Sequence, residues 1–504
     1  MPRPPTRTSG FSRRTFLASA AASTAAVALS RSRVYGANDR VNLGFIAVGG
    51  RGSHSASWFN DLNKPASAEA AGKGPALPPE NVRVASLCDA DTKVLGNVHK
   101  KYKDAKAEVD FRKILDDKDV HAVVISTCNH WHALAAVWAI QAGKDVYVEK
   151  PVSNNVWEGR KIVEAARKYN KIVQGGTQQR SDPVQKQVKE FIKSGKLGKM
   201  LWIRGNRFGV RDSIGKRDKP MVPPADVNYD LWLGPAQDQP IFREKFHYDW
   251  HWVWNTGSGE MGNWGVHILD DIRNMLDDQC TLPKRILSAG GRVAWNDAGE
   301  TPNAHTVYFD TGVVPVIFSL SNLPLNKERK TAATVWRGQP QSGYVIAFEN
   351  GYYSGARGGG WVLDKDWKKV QQFKGDGGGL HARNFIEAVR NRKPQHLNAE
   401  IEVAHLSSSW CHLANVAYQL GKGYTREQHE AAAKDFAPWT ELVDGFHKHL
   451  EANEVDAAKA ALKVSTMLEI DPAKETFVGQ SATPEALALL RREYRKPYVM
   501  PEQV

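Results

Sequence analysis

The segment GEMGNWGVHILDD, from Gly259 to Asp271, places Asn263, His267 and Asp271 at intervals of four residues. Residues three or four apart are neighbours on a helix, so a helix here would carry those polar groups on one side. Met261, Trp264, Ile268, Ile272 and Met275 would form a separate, mostly apolar stripe. An imidazole titrates near neutral pH and can both accept and release a proton, which makes His267 a candidate acid–base group. Lone helical histidines are more often structural or solvated, so the segment alone leaves both readings open. Asp270 and Asp271 either orient the imidazole or simply solvate the helix surface. A second titratable candidate is Lys150, in the run DVYVEKP, with Glu149 before it and Pro151 after it. With DVYV as a buried strand, Lys150 sits at its C-terminal end, where open α/β sheets bind ligands.

The elements that would position these groups begin with VNLGFIAVGGRGSHSASWF. Its first apolar run, from Val41, reads as a buried parallel strand. Ala47, Gly49 and Gly52 then occupy the spacing of G-x-G-x-x-G, with Gly50 and Arg51 inside the motif. Gly49 would let the backbone approach a pyrophosphate, Gly52 would let the helix pack closely on the strand, and the helix N-terminus would face the phosphates. Ala47 replaces the first glycine, so the motif is weak by itself. NVRVASLCDAD reads as a second strand ending at Asp89. A carboxylate there accepts hydrogen bonds from a ribose diol and repels a 2′-phosphate, which favours NAD over NADP. Asp89 lies farther along than usual, and the Pro/Ala/Gly-rich stretch NKPASAEAAGKGPALPPE reads as an inserted loop. VHAVVIST and DVYVEKP follow as strands, separated by the helical stretch HALAAVWAIQAG. Strands alternating with helices argue an α/β fold with a parallel, doubly wound sheet.

The chain has 504 residues, 41% hydrophobic and 24% charged, as expected of a soluble globular protein with two or three domains. Its net charge of +13 suits attraction to anions such as a dinucleotide phosphate, and equally an ordinary basic surface. No dense Lys/Arg run with interleaved aromatics occurs, which argues against nucleic acid as a partner. Cys88, Cys128, Cys280 and Cys411 are far apart and form no C-x-x-C, so no metal cluster and no disulfide scaffold is indicated. FSRRTFLASAAASTAAVAL near the N-terminus resembles a twin-arginine export signal. Arg13 and Arg14 follow Ser12 and precede Phe16, Leu17 and a weakly apolar, Ala-rich run. That run is too short and too Ala-rich for a good membrane span. Residues 1–37 are therefore expected to address the protein to the twin-arginine export machinery, leaving it periplasmic or otherwise exported.

Several blocks together resemble the Gfo/Idh/MocA oxidoreductases, the glucose–fructose oxidoreductase and inositol dehydrogenase family. STCNHWHALAAVWAIQAGKDVYVEKPV resembles the family's T-P-N-x-x-H…A-G-K-x-V-x-x-E-K-P block, with Cys128 in place of the proline. GTQQRSDP from Gly176, the GEMGNWGVHILD segment, LHARNFIEAVRNRKP from Leu380 and LANVAYQLGK from Leu413 resemble later blocks in the same order. The resemblance implies a Rossmann NAD-binding domain, assigned to residues 38–152. It implies a C-terminal α/β domain on a large, open, mostly antiparallel sheet, assigned to 153–424. β-branched and aromatic runs such as MLWIRGNRF and AHTVYFDTGVVPVIFSL agree with that second domain. Residues 425–504 read as a charged helical extension. Members commonly form homo-oligomers through the large sheet.

The resemblance also implies roles. Lys150 matches the lysine that contacts the reacting hydroxyl, and a cis peptide before Pro151 would fix its turn. His267 matches the proton acceptor. Asn263 stands where many relatives carry Asp, so it can hold a hydroxyl but cannot be a base. Ala47, Gly49, Gly50, Arg51, Gly52, Asp89, Thr127, Asn129, His132, Glu149, Lys150 and Gln178 are the expected cofactor-binding residues. Arg180, Arg207, His247, Tyr248, His251, Trp252 and Asp270 are the expected substrate residues, with Arg204 as a further candidate. The tryptophan- and histidine-rich FHYDWHWVWNTGSGEMG could stack on sugar rings or pack into the core.

The leading expectation is an exported NAD-dependent oxidoreductase acting on a sugar, cyclitol or glycoside hydroxyl. It requires a hydride transfer to nicotinamide and a proton transfer to a base within hydrogen-bond reach. Two others stay open: a lyase or glycosidase working by transient oxidation at C3, and a non-catalytic sugar-binding protein on the same scaffold.

Overall fold

The apolar run Val41–Ile46 is β1, buried at five of its six positions. It lies at the centre of a parallel sheet in the computed structural model, which describes residues 40–65, 77–332 and 336–504. The expected export signal and most of the expected inserted loop lie outside the described residues. The other strands are β2 (Val82–Cys88), β3 (Lys106–Glu108), β4 (Ala122–Ile125), β5 (Asp145–Val148) and β6 (Val173–Gly175). Their order is β3-β2-β1-β4-β5-β6, every pair parallel. This order reverses direction between β1 and β4, which creates a crevice at the C-terminal strand ends. β3 escaped the sequence reading because it is a three-residue edge strand with no fully buried position, so it carries no apolar signature.

The second sheet is built from β7 (Met200–Phe208), β8 (Arg285–Gly291), β9 (Ala304–Asp310), β10 (Pro315–Ser321), β11 (Ser342–Phe348), β12 (Gly351–Ala356), β13 (Gly359–Leu363) and β14 (Lys369–Lys374). Four short strands complete it: β15 (Lys422–Gly423), β16 (Leu462–Val464), β17 (Leu468–Asp471) and β18 (Thr476–Phe477). The main path is β14-β13-β12-β11-β7-β10-β9-β8-β16-β15, with β17 on β8 and β18 on β17. β7 and β10 pair in parallel and the other pairs are antiparallel. The face bearing Ile203, Phe318 and Ile346 packs on the helices Val266–Met275 and Ile401–Leu420 in the largest core cluster.

Residues 425–504 depart from the expected helical extension. They contain the helix Ala437–Ala452, but also β16, β17 and β18, which extend the large sheet. That helix packs Trp439, Leu442 and Val443 against Leu287, Tyr308 and Ile317 on the outer sheet face. The part of the outer face formed by β8, β9 and β10 is therefore covered by the protein's own chain. The C-terminal tail returns to the first domain, where Tyr498, Met500 and Val504 pack with Trp131 and Ile140. Two- to four-residue strands and a tail anchored by single aromatics give no periodic pattern, which is why the segment read as an appendage.

No helix among the described residues is long and apolar enough to cross a membrane. Trp439 is fully buried, so Trp439→Ala is expected to cost about 3–5 kcal/mol, read as a lowered urea midpoint of the whole protein. An unchanged midpoint would show that 425–504 is separable from the fold.

Candidate active site

The crevice at the C-terminal ends of β1, β4 and β5 holds a cavity of about 520 Å³. Ala47, Gly49, Gly50 and Arg51 form one wall, between β1 and the helix Arg51–Asp61. Ala47 takes φ 62°, a left-handed conformation in which a Cβ costs about 1–2 kcal/mol and which the replaced glycine would adopt freely. A Cβ on Gly52 would lie 1.9 Å from the Ala47 carbonyl oxygen, so only glycine fits there. A Cβ on Gly50 would meet nothing within 4 Å, so the loop offers bare backbone to the cavity. Asp89 closes this wall: its Oδ2 accepts from the Val48 and Gly49 N–H groups at 2.9 and 3.1 Å. Burial raises the Asp89 pKa, and those N–H groups oppose the rise.

The opposite wall carries Lys150, and its cis peptide to Pro151 is present. Lys150 Nζ donates to the Asn263 carbonyl oxygen at 2.6 Å and lies 3.4 Å from Asn263 Oδ1. Burial pushes the Lys150 pKa down to about 8, with Glu149 opposing and Arg51 reinforcing the shift. Glu149 is itself held: Oε1 accepts from Arg51 Nε at 2.8 Å and from Gln178 Nε2 at 3.3 Å. Burial would raise the Glu149 pKa, but Arg51 and Lys150 outweigh it and keep the carboxyl below its ordinary value. Asn263 Nδ2 donates to Glu260 Oε2 at 3.1 Å. Glu260 is fully buried and also accepts from Arg207 Nε at 2.8 Å and Arg211 at 3.2 Å.

The helix bearing these residues is not the regular one expected. Met261–Gly265 is a π turn, and the α-helix runs from Val266 to Met275. Such turns frequently mark functional sites, and this one leaves both Asn263 and His267 near Lys150, whose charge acts on the imidazole. Asn263 faces Lys150, while His267 lies edge-on to Trp264 with ring centroids 5.6 Å apart. Burial, followed by the charges of Lys150, Arg357, Arg51 and Arg207, lowers the His267 pKa well below its usual value, so the ring is neutral. Asp271 is buried, and burial with Asp270 beside it raises its pKa far above the usual carboxylate value.

Other expected site residues divide. Thr127, Asn129 and His132 line the cavity. Asn129 Oδ1 accepts from Ser258 Oγ at 2.8 Å, and the His132 ring nitrogens lie 2.6 and 2.9 Å from the Pro151 and Thr127 carbonyl oxygens. His132 thus braces the Lys150–Pro151 turn. Gln178 lies behind the cavity on Glu149 and Tyr147. His247, Tyr248 and His251 reach the cavity mouth, joined by Trp250, whose ring stacks on His251 at 3.6 Å. His247 pairs with Asp91 at 2.9 Å.

Four expectations are corrected. Trp252 is 3% exposed, so its ring is core and cannot stack on a sugar. Arg180 and Asp270 do not face substrate: they form a buried ion pair at 2.8 Å, joined by Asp278 and by Ser407 Oγ. Arg204 projects to the outer sheet face, over the Trp336 ring at 4.8 Å. Arg207 reaches the site, but its guanidinium is held by Glu260, Ser342 and the Trp264 face. Glu260 and Arg211 escaped the sequence reading, although Glu260 lies inside the quoted segment and Arg211 four residues after Arg207.

A family model described as "Oxidoreductase family, NAD-binding Rossmann fold" matches residues 43–177. A second, "Oxidoreductase family, C-terminal alpha/beta domain", matches residues 182–318, and the two together cover more than half of the chain. The chain belongs to the Gfo/Idh/MocA oxidoreductase family. Among curated members, it is 25% identical to the levoglucosan dehydrogenase of Pseudarthrobacter phenanthrenivorans over 238 residues, 45% of this chain and 53% of that one. It is 34% identical to the inositol 2-dehydrogenase of Salmonella typhimurium over 131 residues, 26% of this chain and 39% of that one. A glycosyl hydrolase family 109 protein of Shewanella sp. is 29% identical over 187 residues, 31% of this chain and 37% of that one. The chain thus spans about half the length of these relatives, or less. Among solved structures, GenD2 from gentamicin A biosynthesis in complex with NAD shares the fold at a TM-score of 0.53 and 15% identity, over 77% of this chain and 96% of that one. Levoglucosan dehydrogenase in complex with NADH gives 0.52 and 15%, over 74% and 97%.

The family's cofactor, NAD, fits the residues present. Glycine backbone faces the cavity at Gly50, the acidic Asp89 stands at the end of β2, and Ser126 Oγ, Thr127 Oγ1 and Glu149 Oε2 line it as buried polar atoms without a partner. Among the described residues, no group of three His, Cys, Asp or Glu side chains is placed to hold a metal ion.

Breaking the Arg180–Asp270 pair leaves a buried charge uncompensated, so Arg180→Met is expected to destabilise the protein by about 3–5 kcal/mol. Chemical denaturation reads this directly. An unchanged midpoint with a raised KM would instead return Arg180 to the substrate.

Proposed function

We propose that the protein is an exported NAD-dependent oxidoreductase that transfers a hydride between nicotinamide and a CH–OH group of a sugar, cyclitol or glycoside. The observation that carries this reading is the Lys150 amine, held by the Asn263 carbonyl at the wall of the dinucleotide cavity, one π turn from a neutral His267. Bound NAD supplies the hydride acceptor. The chain's own residues manage the hydroxyl. A base works best when its pKa lies near the working pH, and Lys150 at about 8 meets that condition. His267, neutral, accepts a hydrogen bond and orients the hydroxyl. Asn263 cannot ionise, and its carbonyl and amide aim Nζ. The levoglucosan and inositol dehydrogenases among the relatives support a polyhydroxylated substrate.

Loss of the ammonium proton creates the base. In the oxidative direction kcat/KM is therefore expected to rise with pH through an apparent pKa near 8 and to fall through it in the reductive direction. His267 is expected to add no limb near neutral pH, because burial and the neighbouring cations hold its pKa well below the usual histidine value. Substrates come from a polyol and glycoside screen read at the nicotinamide absorbance. Lys150→Met should remove the limb near pH 8 and lower kcat/KM by about 10²–10⁴, whereas His267→Asn should lower the rate and leave that limb in place. A Lys150→Met enzyme that retains turnover removes Lys150 from the proton path.

The twin-arginine pattern at residues 1–37 supports export of the folded, loaded protein. Outside the cytoplasm free NAD is not replenished, so the cofactor is retained and recycled between substrates. Mass spectrometry of the natively purified protein is expected to show NAD(H). An apo protein with about micromolar or weaker affinity counts against retention. A homo-oligomer would use the outer face of β7 and β12, beyond the helix Ala437–Ala452, where part-buried Trp202, Tyr352, Trp367 and Trp336 cluster. A second reading, redox-neutral cleavage of a glycoside after transient oxidation, is favoured by the likeness to the glycosyl hydrolase family 109 protein. Cleavage with catalytic NAD and no accumulating NADH would establish it.

A further inference from the structure

Ser258 separates two cavities. Its hydroxyl donates to Asn129, which lines the dinucleotide cavity, and its other side lines a second cavity of about 370 Å³. Six parts of the chain build the second cavity: Asn154 and Asn155, the segment of Gln237 and Gln239, the loop Trp254–Ser258, Glu300, the helix Ile401–Leu420, and the C-terminal segment 489–493. None of them carries the dinucleotide loop or Lys150.

The walls are dominated by carboxamides, seven in all. Several are fixed at one end and unpartnered at the other. Asn155 Oδ1 accepts the Glu158 N–H at 2.9 Å and caps the helix Val156–Lys168, while its Nδ2 has no partner. Asn415 Nδ2 donates to the Ser258 carbonyl at 2.8 Å, while its Oδ1 has no partner. These two residues are 6% and 4% exposed. Asn154 Oδ1 is likewise unpartnered. Arg492 is anchored by its NH2 group on the Asn255 carbonyl at 2.9 Å, leaving Nε and NH1 unpartnered. Buried polar atoms in folded proteins are nearly always paired, so such a cluster around one cavity points to a ligand.

The donor set defines that ligand. Acceptors from Asn154 and Asn415 stand among donors from Asn155 and Arg492, and a hydroxyl both donates and accepts. Glu158 faces Arg492, and the lining cations Arg491 and Arg492 are matched in number by Glu300 and Glu493, so the cavity does not select an anion. Trp254 contributes an aromatic face, apolar like the C–H face of a pyranose. Gln239, Asn255 and Glu300 are shared with an adjoining cavity of about 290 Å³, which leaves room for a further ring.

We propose that this amide-lined cavity is a second, non-catalytic carbohydrate site that takes a neutral pyranose, free or at the end of a glycan chain. It stands independently of the chemistry assigned to Lys150.

The test is calorimetric titration of the full-length, NAD-loaded protein. The probes are methyl glycosides of glucose, galactose, mannose and xylose, with cellotetraose, maltotetraose and xylotetraose, and glucuronate as the charged control. At least one neutral saccharide is expected to bind, and to bind equally to Lys150→Met. Asn155→Asp keeps the helix-capping oxygen and replaces the free donor, and Trp254→Ala removes the aromatic face. Each is expected to weaken binding by about tenfold or more with NAD binding unchanged, Asn155→Asp also lowering the thermal midpoint because its carboxylate meets buried Glu158. Absence of any neutral binder at about 10 mM overturns the proposal. So does binding that ignores both variants, which would place the sugar in the catalytic cavity, or binding of glucuronate alone, which would make the site anionic.

Discussion

A lysine amine at the seam between two domains stays there only if something replaces the water it gives up. In this protein the replacement for Lys150 is a backbone carbonyl, that of Asn263, presented by a π turn of the second domain. Everything else at the site follows from holding these two atoms together. On the Rossmann side, Arg51 and Gln178 grip Glu149, and His132 spans the Thr127 and Pro151 carbonyls on either side of Lys150. On the other side, Glu260 collects Asn263, Arg207 and Arg211, which fixes the π turn against β7 and the Tyr248 loop.

The electrostatics are a consequence of that closeness. Two carboxylates, Glu149 and Glu260, face Lys150, Arg51, Arg207 and Arg211, and burial first, then the excess of positive charge, lowers the His267 pKa well below its usual value. Burial makes the Lys150 cation less stable, and the two carboxylates restore part of that stability. The amine is left near the pH at which it can both hold and release a proton, without any group in the site needing to be exposed.

The seam is reinforced away from the chemistry. Arg180 and Asp270 tie the segment after β6 to the helix Val266–Met275, and Ser407 connects both to the long helix Ile401–Leu420. Asn415 on that helix reaches Ser258, and Ser258 reaches Asn129. The C-terminal tail then packs its last aromatic and apolar residues onto the Rossmann helices. The two domains are thus joined by buried polar contacts near the site and by apolar ones farther out, an arrangement that resists hinge motion at Lys150.

Local pattern was enough for much of this. β1, the glycine loop, Asp89 and the strand before Lys150 were legible because strand burial and turn chemistry are written in consecutive residues. The glutamate, lysine and histidine that matter stood inside short motifs. What adjacent residues do not encode is which polar side chain finds which partner. Arg180 and Asp270, 90 positions apart, read as site residues and prove to be a buried pair. Trp252 read as a platform and is core, while Trp250, two residues away, lines the cavity mouth. The π turn Met261–Gly265 widens the helix where sequence periodicity assumes a regular α turn, and its Asn263 carbonyl meets Lys150. The sequence by itself determined the Rossmann domain and its cofactor, since these depend on local conformation, and it put Lys150 and His267 forward as candidates. Tertiary structure alone decided which cations are free, which are spent on carboxylates and where a carbonyl meets an amine, because those depend on distances between segments that no local pattern records.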